Sequence, residues 1–249
     1  MFHYFRVVGV LTCWLLAGTA VADRDLDFRL FEAAKTGRVT EVDILLQQGA
    51  HVNARNRLGN TPLLLAATNN HTDTALLLIE RGGDINKPNL RGISPLIAAS
   101  YNGDEKVVRA LLDRHADPNV ADNTQKSAIC YAAAKGNVQI VRWLLEAGIK
   151  VDERYGNSVT ALMWAAGYGN SKTIDLLLSK SADPNLQDNR GYTALMAAVE
   201  GGHVEAAQRL VTAGARLDIS DKEGRTALEI AEGKGQPDVV KLLESPRNH

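Results

Sequence analysis

Small and apolar residues return along this 249-residue chain at a fixed interval of 33 positions. One column is alanine throughout, at Ala66, Ala99, Ala132, Ala165, Ala198 and Ala231. Another column is leucine throughout, at Leu78, Leu111, Leu144, Leu177, Leu210 and Leu243. Further apolar residues flank the leucines at helical spacing, so each interval predicts a thin first helix and an amphipathic second helix. Because alanine is small, the first helices of neighbouring repeats can approach closely.

Residues that start and stop helices bound each predicted first helix. A hydroxyl residue that can cap the helix precedes it, at Thr61, Ser94, Ser127, Thr160, Thr193 and Thr226. A residue that tolerates a left-handed backbone follows it, at Asn70, Gly103, Gly136, Gly169, Gly202 and Gly235. The second helix is predicted to end near Gly82, Gly148 and Gly214, with weaker stops where His115 and Ser181 replace glycine.

The segment Gly191-Tyr192-Thr193-Ala194-Leu195-Met196-Ala197-Ala198, together with Thr61-Pro62-Leu63, resembles the ankyrin repeat in sequence and in period. The resemblance covers nearly everything after about residue 25. It implies an all-α fold, an ankyrin-repeat solenoid of about seven helix-turn-helix units with finger loops. The units are expected to start near residues 25, 56, 89, 122, 155, 188 and 221.

The chain departs from the family pattern in two ways. Residues 25–56 form an atypical first repeat, and Glu229 and Glu232 stand in stacking columns of the last repeat, as expected for repeats that cap the two ends. The histidine that usually follows Thr-Pro-Leu and bonds toward the next unit is replaced by Leu64, Ile97, Cys130, Met163, Met196 and Glu229. We therefore expect that hydrogen-bond ladder to be absent and the stack to depend on apolar packing.

Residues 1–22 have the features of a secretory signal peptide. Arg6 precedes an apolar run, and Ala20-Val21-Ala22 forms a small-residue cleavage site before Asp23. The alternative is an uncleaved membrane anchor, although the run is shorter than a spanning helix needs. The prediction is a mature ankyrin-repeat domain at residues 23–249, exported by a bacterium and periplasmic or secreted after cleavage near Ala22.

Composition argues against several classes of function. A net charge of −1 does not suggest a nucleic-acid binder. The scattered histidines lack metal-ligand spacing, and no cofactor is expected. Neither a nucleophile elbow nor a complete phosphate loop is present, and the repeat grid leaves no insertion for a catalytic loop, so an enzyme is not predicted. Cys130 falls in an apolar helix column and is expected to be a buried small hydrophobe.

The resemblance implies that finger loops and first helices form a concave binding surface. The basic and tyrosine residues there are predicted to bind the partner: Arg55, Arg57, Arg91, Tyr101, Lys126, Lys135, Arg154, Tyr168, Arg190 and Tyr192. Tyr and Arg are frequent in binding hot spots. Because acidic residues are concentrated on the second helices, we expect the partner to be a protein with an acidic surface. The alternative is that solvated finger loops tolerate any polar residue.

The predicted function is that of a monomeric, non-catalytic scaffold or adaptor in the periplasm. Two alternatives stay open at this point: an accessory factor that stabilises or regulates a periplasmic enzyme, and a secreted effector that binds host proteins.

Export is directly testable. N-terminal sequencing of the exported protein should begin at Asp23, because a small-residue site ends at Ala22. A mature chain that retains Met1 and stays with the membrane would contradict the assignment.

Overall fold

The structure, a computed structural model, describes residues 25–244, and helices joined by turns and loops recur along that range. It contains fourteen α-helices, one short 3-10 turn and isolated β-bridges, with no β-strand among the described residues. The predicted all-α class is therefore confirmed. No helix between residues 25 and 244 is long and apolar enough to cross a membrane. The predicted signal peptide and its cleavage site lie outside the described residues.

The chain divides into two compact units, with the boundary in the sequence between Pro95 and Leu96. In the N-terminal unit the helices are α1 (residues 25–36), α2 (Val39–Gln47), α3 (Pro62–Thr68) and α4 (Thr72–Glu80). From Pro95 onward they are α5 (Pro95–Asn102), α6 (Glu105–Asp113), α7 (Ala128–Lys135), α8 (Val138–Glu146), α9 (Ala161–Gly167), α10 (Ser171–Ser179), α11 (Ala194–Glu200), α12 (Val204–Thr212), α13 (Ala227–Gly233) and α14 (Pro237–Glu244).

The two predicted columns form the core. Every alanine of the alanine column and every leucine of the leucine column is buried. In the C-terminal unit the first helix α9 packs between the first helices α7 and α11, and the second helix α10 packs between α8 and α12. Burial of apolar surface at about 25 cal/mol per Å² therefore stabilises contacts between repeats as well as within them.

Most of the predicted helix starts are confirmed. The hydroxyl of Thr61 accepts a hydrogen bond from the backbone N–H of Leu64 at 3.2 Å. Thr160, Thr193 and Thr226 cap their helices in the same way at 3.3 Å. Ser127 is an exception, because its side chain makes no capping bond to α7. The helix is held there by neighbouring contacts instead, since Ser127 is itself buried and pairs with Ala121 through the backbone.

The last repeat has the features expected of an end cap. Glu229 and Glu232 are exposed, whereas the corresponding residues of inner repeats pack against a neighbour. The Glu229 carboxylate accepts hydrogen bonds from the backbone N–H of Thr226 at 2.6 Å and from its hydroxyl at 2.9 Å. This reciprocal capping box stabilises the start of α13 without any contact from a further repeat.

The column that carries the family's histidine holds none here, so that ladder has no residues to form it, but the stack does not depend on apolar packing alone. A different column, immediately before most of the second helices, reaches back to carbonyl oxygens in the first helix of the preceding repeat. Asn170 donates to the carbonyl oxygens of Ala133 at 2.8 Å and Ala134 at 2.9 Å. The equivalent bonds run from His71 to Lys35, from Asn137 to Ser100, from His203 to Gly167 and from Gln236 to Val199. These side chains satisfy carbonyl groups that a helix end leaves unpaired.

Finger loops are also tied together. In most loops a leading Asn or Asp accepts hydrogen bonds from the backbone two and four residues later, as Asp122 does from Thr124 at 2.8 Å and Lys126 at 3.1 Å. Backbone bonds then join successive loops of the C-terminal unit, from Gly156 N–H to Gln125 and from Asn189 N–H to Asn157. The loops therefore hold their side chains in fixed positions relative to the first helices.

The second-helix stops allow a stability prediction. Ser181 follows α10 with φ of 64°, a left-handed conformation that costs a residue with a Cβ about 1 kcal/mol or more. Replacing Ser181 by Gly should raise the free energy of unfolding by about 1 kcal/mol. The control is Lys180→Gly, where φ is −95° and glycine should be destabilising. Denaturation followed by the fluorescence of Trp143 and Trp164 measures both variants, and a Ser181→Gly variant no more stable than the wild-type chain would contradict the prediction.

Candidate functional site

Four aromatic side chains gather on the exposed sides of three neighbouring first helices in the C-terminal unit. Tyr101 comes from α5, Tyr131 from α7, Trp164 from α9, and Tyr168 directly follows α9. The rings of Tyr101 and Tyr131 meet edge to face, with centroids 5.8 Å apart. The rings of Trp164 and Tyr168 are stacked at 6.2 Å. Tyr101 is 50% exposed and Tyr168 59% exposed, so the aromatic cluster formed by these four residues is open to a partner.

Two lysines lie over the rings of this cluster. The Lys126 Nζ is 5.0 Å from the centroid of the Trp164 ring and 6.0 Å from that of Tyr131. The Lys135 Nζ is 4.5 Å from the centroid of the Tyr101 ring. Such cation–π contacts hold each ammonium group near the aromatic faces. Neither lysine pairs with a carboxylate within residues 25–244.

Asp122 fixes the position of Tyr131. The Tyr131 hydroxyl donates a hydrogen bond to the Asp122 carboxylate. Burial alone opposes ionisation of Asp122, but hydrogen bonds from Thr124, Tyr131 and the backbone of Lys126 together lower its pKa below the ordinary value. Burial and the bond to Asp122 raise the pKa of Tyr131 to about 12. Tyr131 is therefore a neutral, oriented side chain whose ring forms a wall of the site.

The cluster encloses a cavity of about 240 Å³, which we call the aromatic–lysine cavity. Its lining is Tyr101, Lys126, Cys130, Tyr131, Ala134, Lys135, Trp164 and Tyr168. This lining contains two cations and no carboxylate. Cys130 is only 1% exposed, which confirms the predicted burial, and that burial raises the pKa of its thiol to about 12.

A second cavity of about 240 Å³, which we call the α9–α11 cavity, also includes Trp164 and Tyr168 in its lining. Its other walls come from α9, α11 and the loop before α11, and include Met163, Ala197, Arg190, Tyr192 and Glu200. The Arg190 guanidinium lies 4.2 Å from the centroid of the Tyr192 ring and pairs with Asp188 at 2.9 Å. Glu200 pairs with Lys234 at 3.0 Å. The charged groups of the α9–α11 cavity are therefore compensated.

The structure brings four of the predicted partner-binding residues together: Tyr101, Lys126, Lys135 and Tyr168 all line the aromatic–lysine cavity. Arg55, Arg57 and Arg91 are exposed and belong to the N-terminal unit. The Arg55 side chain donates to the carbonyl oxygen of Pro88 at 2.8 Å, and Arg154 donates to that of Gln187, also at 2.8 Å. These two arginines therefore help to join successive loops.

Tyr192 was predicted to bind the partner, but it is only 7% exposed and therefore does not project from the surface as Tyr101 and Tyr168 do. Its ring lies under the Arg190 guanidinium, and its hydroxyl donates to Glu200 at 3.2 Å and accepts from Arg225 at 3.3 Å. Tyr192 therefore forms part of the lining of the α9–α11 cavity, and because its ring is buried it cannot insert into a partner.

The predicted segregation of charge also needs correction. The leading aspartates of the loops, Asp188 and Asp221, are buried and pair with Arg190 and Arg225. Burial opposes the ionisation of Asp221, but hydrogen bonds from Arg225 lower its pKa below the ordinary value. These pairs arise within each loop. The turn requires an Asn or Asp side chain at its first position, and where that residue is Asp its carboxylate neutralises the nearest guanidinium. The positive charges of Arg190 and Arg225 are thus compensated, whereas Lys126 and Lys135 have no carboxylate partner within residues 25–244.

Sequence reasoning missed Tyr131 and Trp164. Both stand in one repeat column, whose other members are Leu65, Ala98, Ala197 and Ile230. The sequence did contain a signal for these two residues. Two consecutive repeats carry a large aromatic residue in a column where the other repeats carry an aliphatic one. Within residues 25–244, no group of three or more His, Cys, Asp or Glu residues could hold a metal ion.

Known proteins are similar to this chain in sequence and in fold. Family models described as ankyrin repeats match residues 30–79, 82–155 and 162–248. The crystal structure of the human ASB11 ankyrin repeat domain is similar with a TM-score of 0.79 and 27% identity, and the match covers 87% of this chain and 98% of that one. A mitochondrial disaggregase of Bos taurus is 53% identical over 45 residues, which are 18% of this chain. The match covers 7% of the length of that relative.

The position of Cys130 beneath the aromatic–lysine cavity predicts low reactivity. A maleimide should label it at least about 100-fold more slowly in the native state than in denaturant, because the reactive thiolate is scarce and covered. A Cys130→Ala, Tyr168→Cys variant supplies the exposed control and should be labelled quickly without denaturant. Native labelling of Cys130 as fast as this control would contradict the described packing of α7.

Proposed function

Because the chain belongs to the ankyrin-repeat family, whose members are generally protein–protein interaction modules, we propose that it is a non-catalytic binding protein with its partner site on the first helices of the C-terminal unit. The observation that carries this proposal is the exposed aromatic cluster of Tyr101, Tyr131, Trp164 and Tyr168. We propose the role of a scaffold or adaptor.

The physical chemistry of the cluster supports a protein as the ligand. Trp and Tyr present large contact areas with few rotatable bonds, and they are enriched among the residues that dominate binding energies. Ring–ring contacts and the bond from Tyr131 to Asp122 already orient these side chains. Binding therefore loses little side-chain entropy, which is a main cost of association.

The sequence of residues 1–22 supports export of the chain, because its apolar run and Ala20-Val21-Ala22 are typical of a cleaved signal peptide. We propose a periplasmic or secreted location in a bacterium. With Cys130 the only cysteine after that segment, the mature chain would need no disulfide to fold. An acidic partner surface fits the two lysines of the site, whose positive charge has no carboxylate partner within residues 25–244.

Capture of the partner tests this proposal. The chain is used as bait in a periplasmic extract, and the affinity of each captured protein is then measured for site variants. Tyr168→Ala and Tyr101→Ala should each weaken binding by about 2 kcal/mol if these residues are hot spots. Both side chains are about half exposed, so their removal should leave the fold intact.

Matched controls define the surface. Phe28→Ala removes an exposed aromatic residue of the N-terminal unit, and Glu105→Lys with Glu146→Lys reverses exposed charges on second helices. We expect these controls to leave the affinity nearly unchanged. A partner whose affinity falls with the controls but not with Tyr168→Ala would place the binding site elsewhere on the chain.

A further inference from the structure

The two cavities beside α9 share the rings of Trp164 and Tyr168 but differ in charge. The aromatic–lysine cavity lies on the α7 side and contains Lys126 and Lys135, with no acidic residue in its lining. The α9–α11 cavity contains Asp188, Arg190 and Glu200. A ligand that crosses the Trp164–Tyr168 pair therefore meets two different chemical environments in succession.

The aromatic–lysine cavity fits a carboxylate. An ammonium group carries three hydrogen-bond donors, and the ring faces that contact Lys126 and Lys135 do not supply ordinary acceptors. The nearest acid, Asp122, is already committed, since it accepts hydrogen bonds from the backbone N–H groups of Thr124 and Lys126 and from the hydroxyls of Thr124 and Tyr131. A cationic ligand would be repelled by the two lysines, whereas a carboxylate would gain charge-assisted hydrogen bonds from them.

The α9–α11 cavity fits an uncharged, apolar side chain. Arg190 is held by Asp188 and the Tyr192 ring, and Glu200 by Lys234 and the Tyr192 hydroxyl. A charged ligand group would have to displace one of these partners. The remaining walls, Met163, Ala197 and the ring of Trp164, offer apolar contact instead.

The distance between the cavities selects the spacing of the two ligand groups. One is lined by α7 and α9 and the other by α9 and α11, and because packed helices are about 8–10 Å apart, we expect a similar separation between the two cavities. An extended polyproline-II segment has three residues per turn and rises about 3.1 Å per residue, so side chains three positions apart share one face and are about 9 Å apart. The separation expected from this helix spacing matches that repeat.

From these observations we propose that the site recognises an extended internal segment of the partner, with an Asp or Glu side chain in the aromatic–lysine cavity and a Leu, Ile, Met or Phe side chain three residues away in the α9–α11 cavity. This inference rests on the proposed function, because it assumes that the partner docks on the aromatic cluster. It adds the recognised sequence pattern, which a general protein-binding role does not specify.

Selection from peptide libraries tests the pattern. Two libraries of random twelve-residue peptides are selected on the full chain, one displayed internally and one with free carboxyl termini. The internal library should yield sequences with an acidic and an apolar residue three positions apart, in one consistent order. Synthetic versions with blocked termini should bind the wild-type chain, and Tyr168→Ala should abolish this binding.

Charge removal then identifies the lysines as the acid-binding groups. Lys126→Gln with Lys135→Gln should weaken a selected peptide by about tenfold or more. Changing the acidic residue of the peptide to Gln should weaken its binding to the wild-type chain by a similar factor. The same change should hardly affect binding to this double variant, because the lysines that it would pair with are already gone. The control pair is Lys106→Gln with Lys172→Gln, two exposed lysines on second helices, and it should leave the affinity unchanged.

Each outcome bears on a different claim. Selected peptides that need Tyr168 but contain no acidic residue would overturn the sequence pattern and leave the proposed function standing. Binders from the free-terminus library alone would also overturn it, because the carboxylate would then be a chain end. Failure to select any peptide that depends on Tyr168, together with partner capture insensitive to Tyr168→Ala, would overturn both.

Discussion

The close approach of neighbouring first helices is the constraint on which the rest of the structure depends. Ala132, Ala165 and Ala198 are fully buried where α7, α9 and α11 pack side by side. Larger side chains at these positions would force the helices apart, because protein interiors have no spare volume. Asn170 and most other residues of its column then reach back to carbonyl oxygens in the first helix of the preceding repeat. Apolar packing and these polar bonds require the same short separation, so they reinforce one another.

That separation also creates the binding site. Tyr131 and Trp164 belong to different repeats, yet Lys126 contacts both rings. Side chains on the exposed sides of α5, α7 and α9 can touch only because the alanine column lets the helices lie close together. The binding surface is thus a direct product of the repeat packing, and its aromatic residues are oriented by neighbours that the same packing supplies. This preorganisation reduces the entropic cost of capturing an extended ligand.

Loop architecture decides which positive charges are available. The loops need an Asn or Asp at their head to satisfy the backbone N–H groups of a tight turn, and most of the repeats provide one. Where that residue is Asp, an arginine in the same loop pairs with it, as Arg190 does with Asp188 and Arg225 with Asp221. Asp122 instead accepts the Tyr131 hydroxyl, which leaves Lys126 to the aromatic rings. The positive character of the site therefore comes from two lysines.

The sequence by itself determined the period, the two helices of each repeat, most of their caps and the burial of Cys130. These features depend on residues within about one helical turn of each other, or on columns whose members are all alike, such as the alanines. Only the tertiary structure decided that Tyr131 and Trp164 join Tyr101 and Tyr168, that Tyr192 is covered, and that Arg55 and Arg154 bond to neighbouring loops. Each of these outcomes depends on contacts between residues about one repeat apart or on the local pairing of charges. A pattern along one chain identifies which residues share a column, but it does not contain the distances between side chains of adjacent columns.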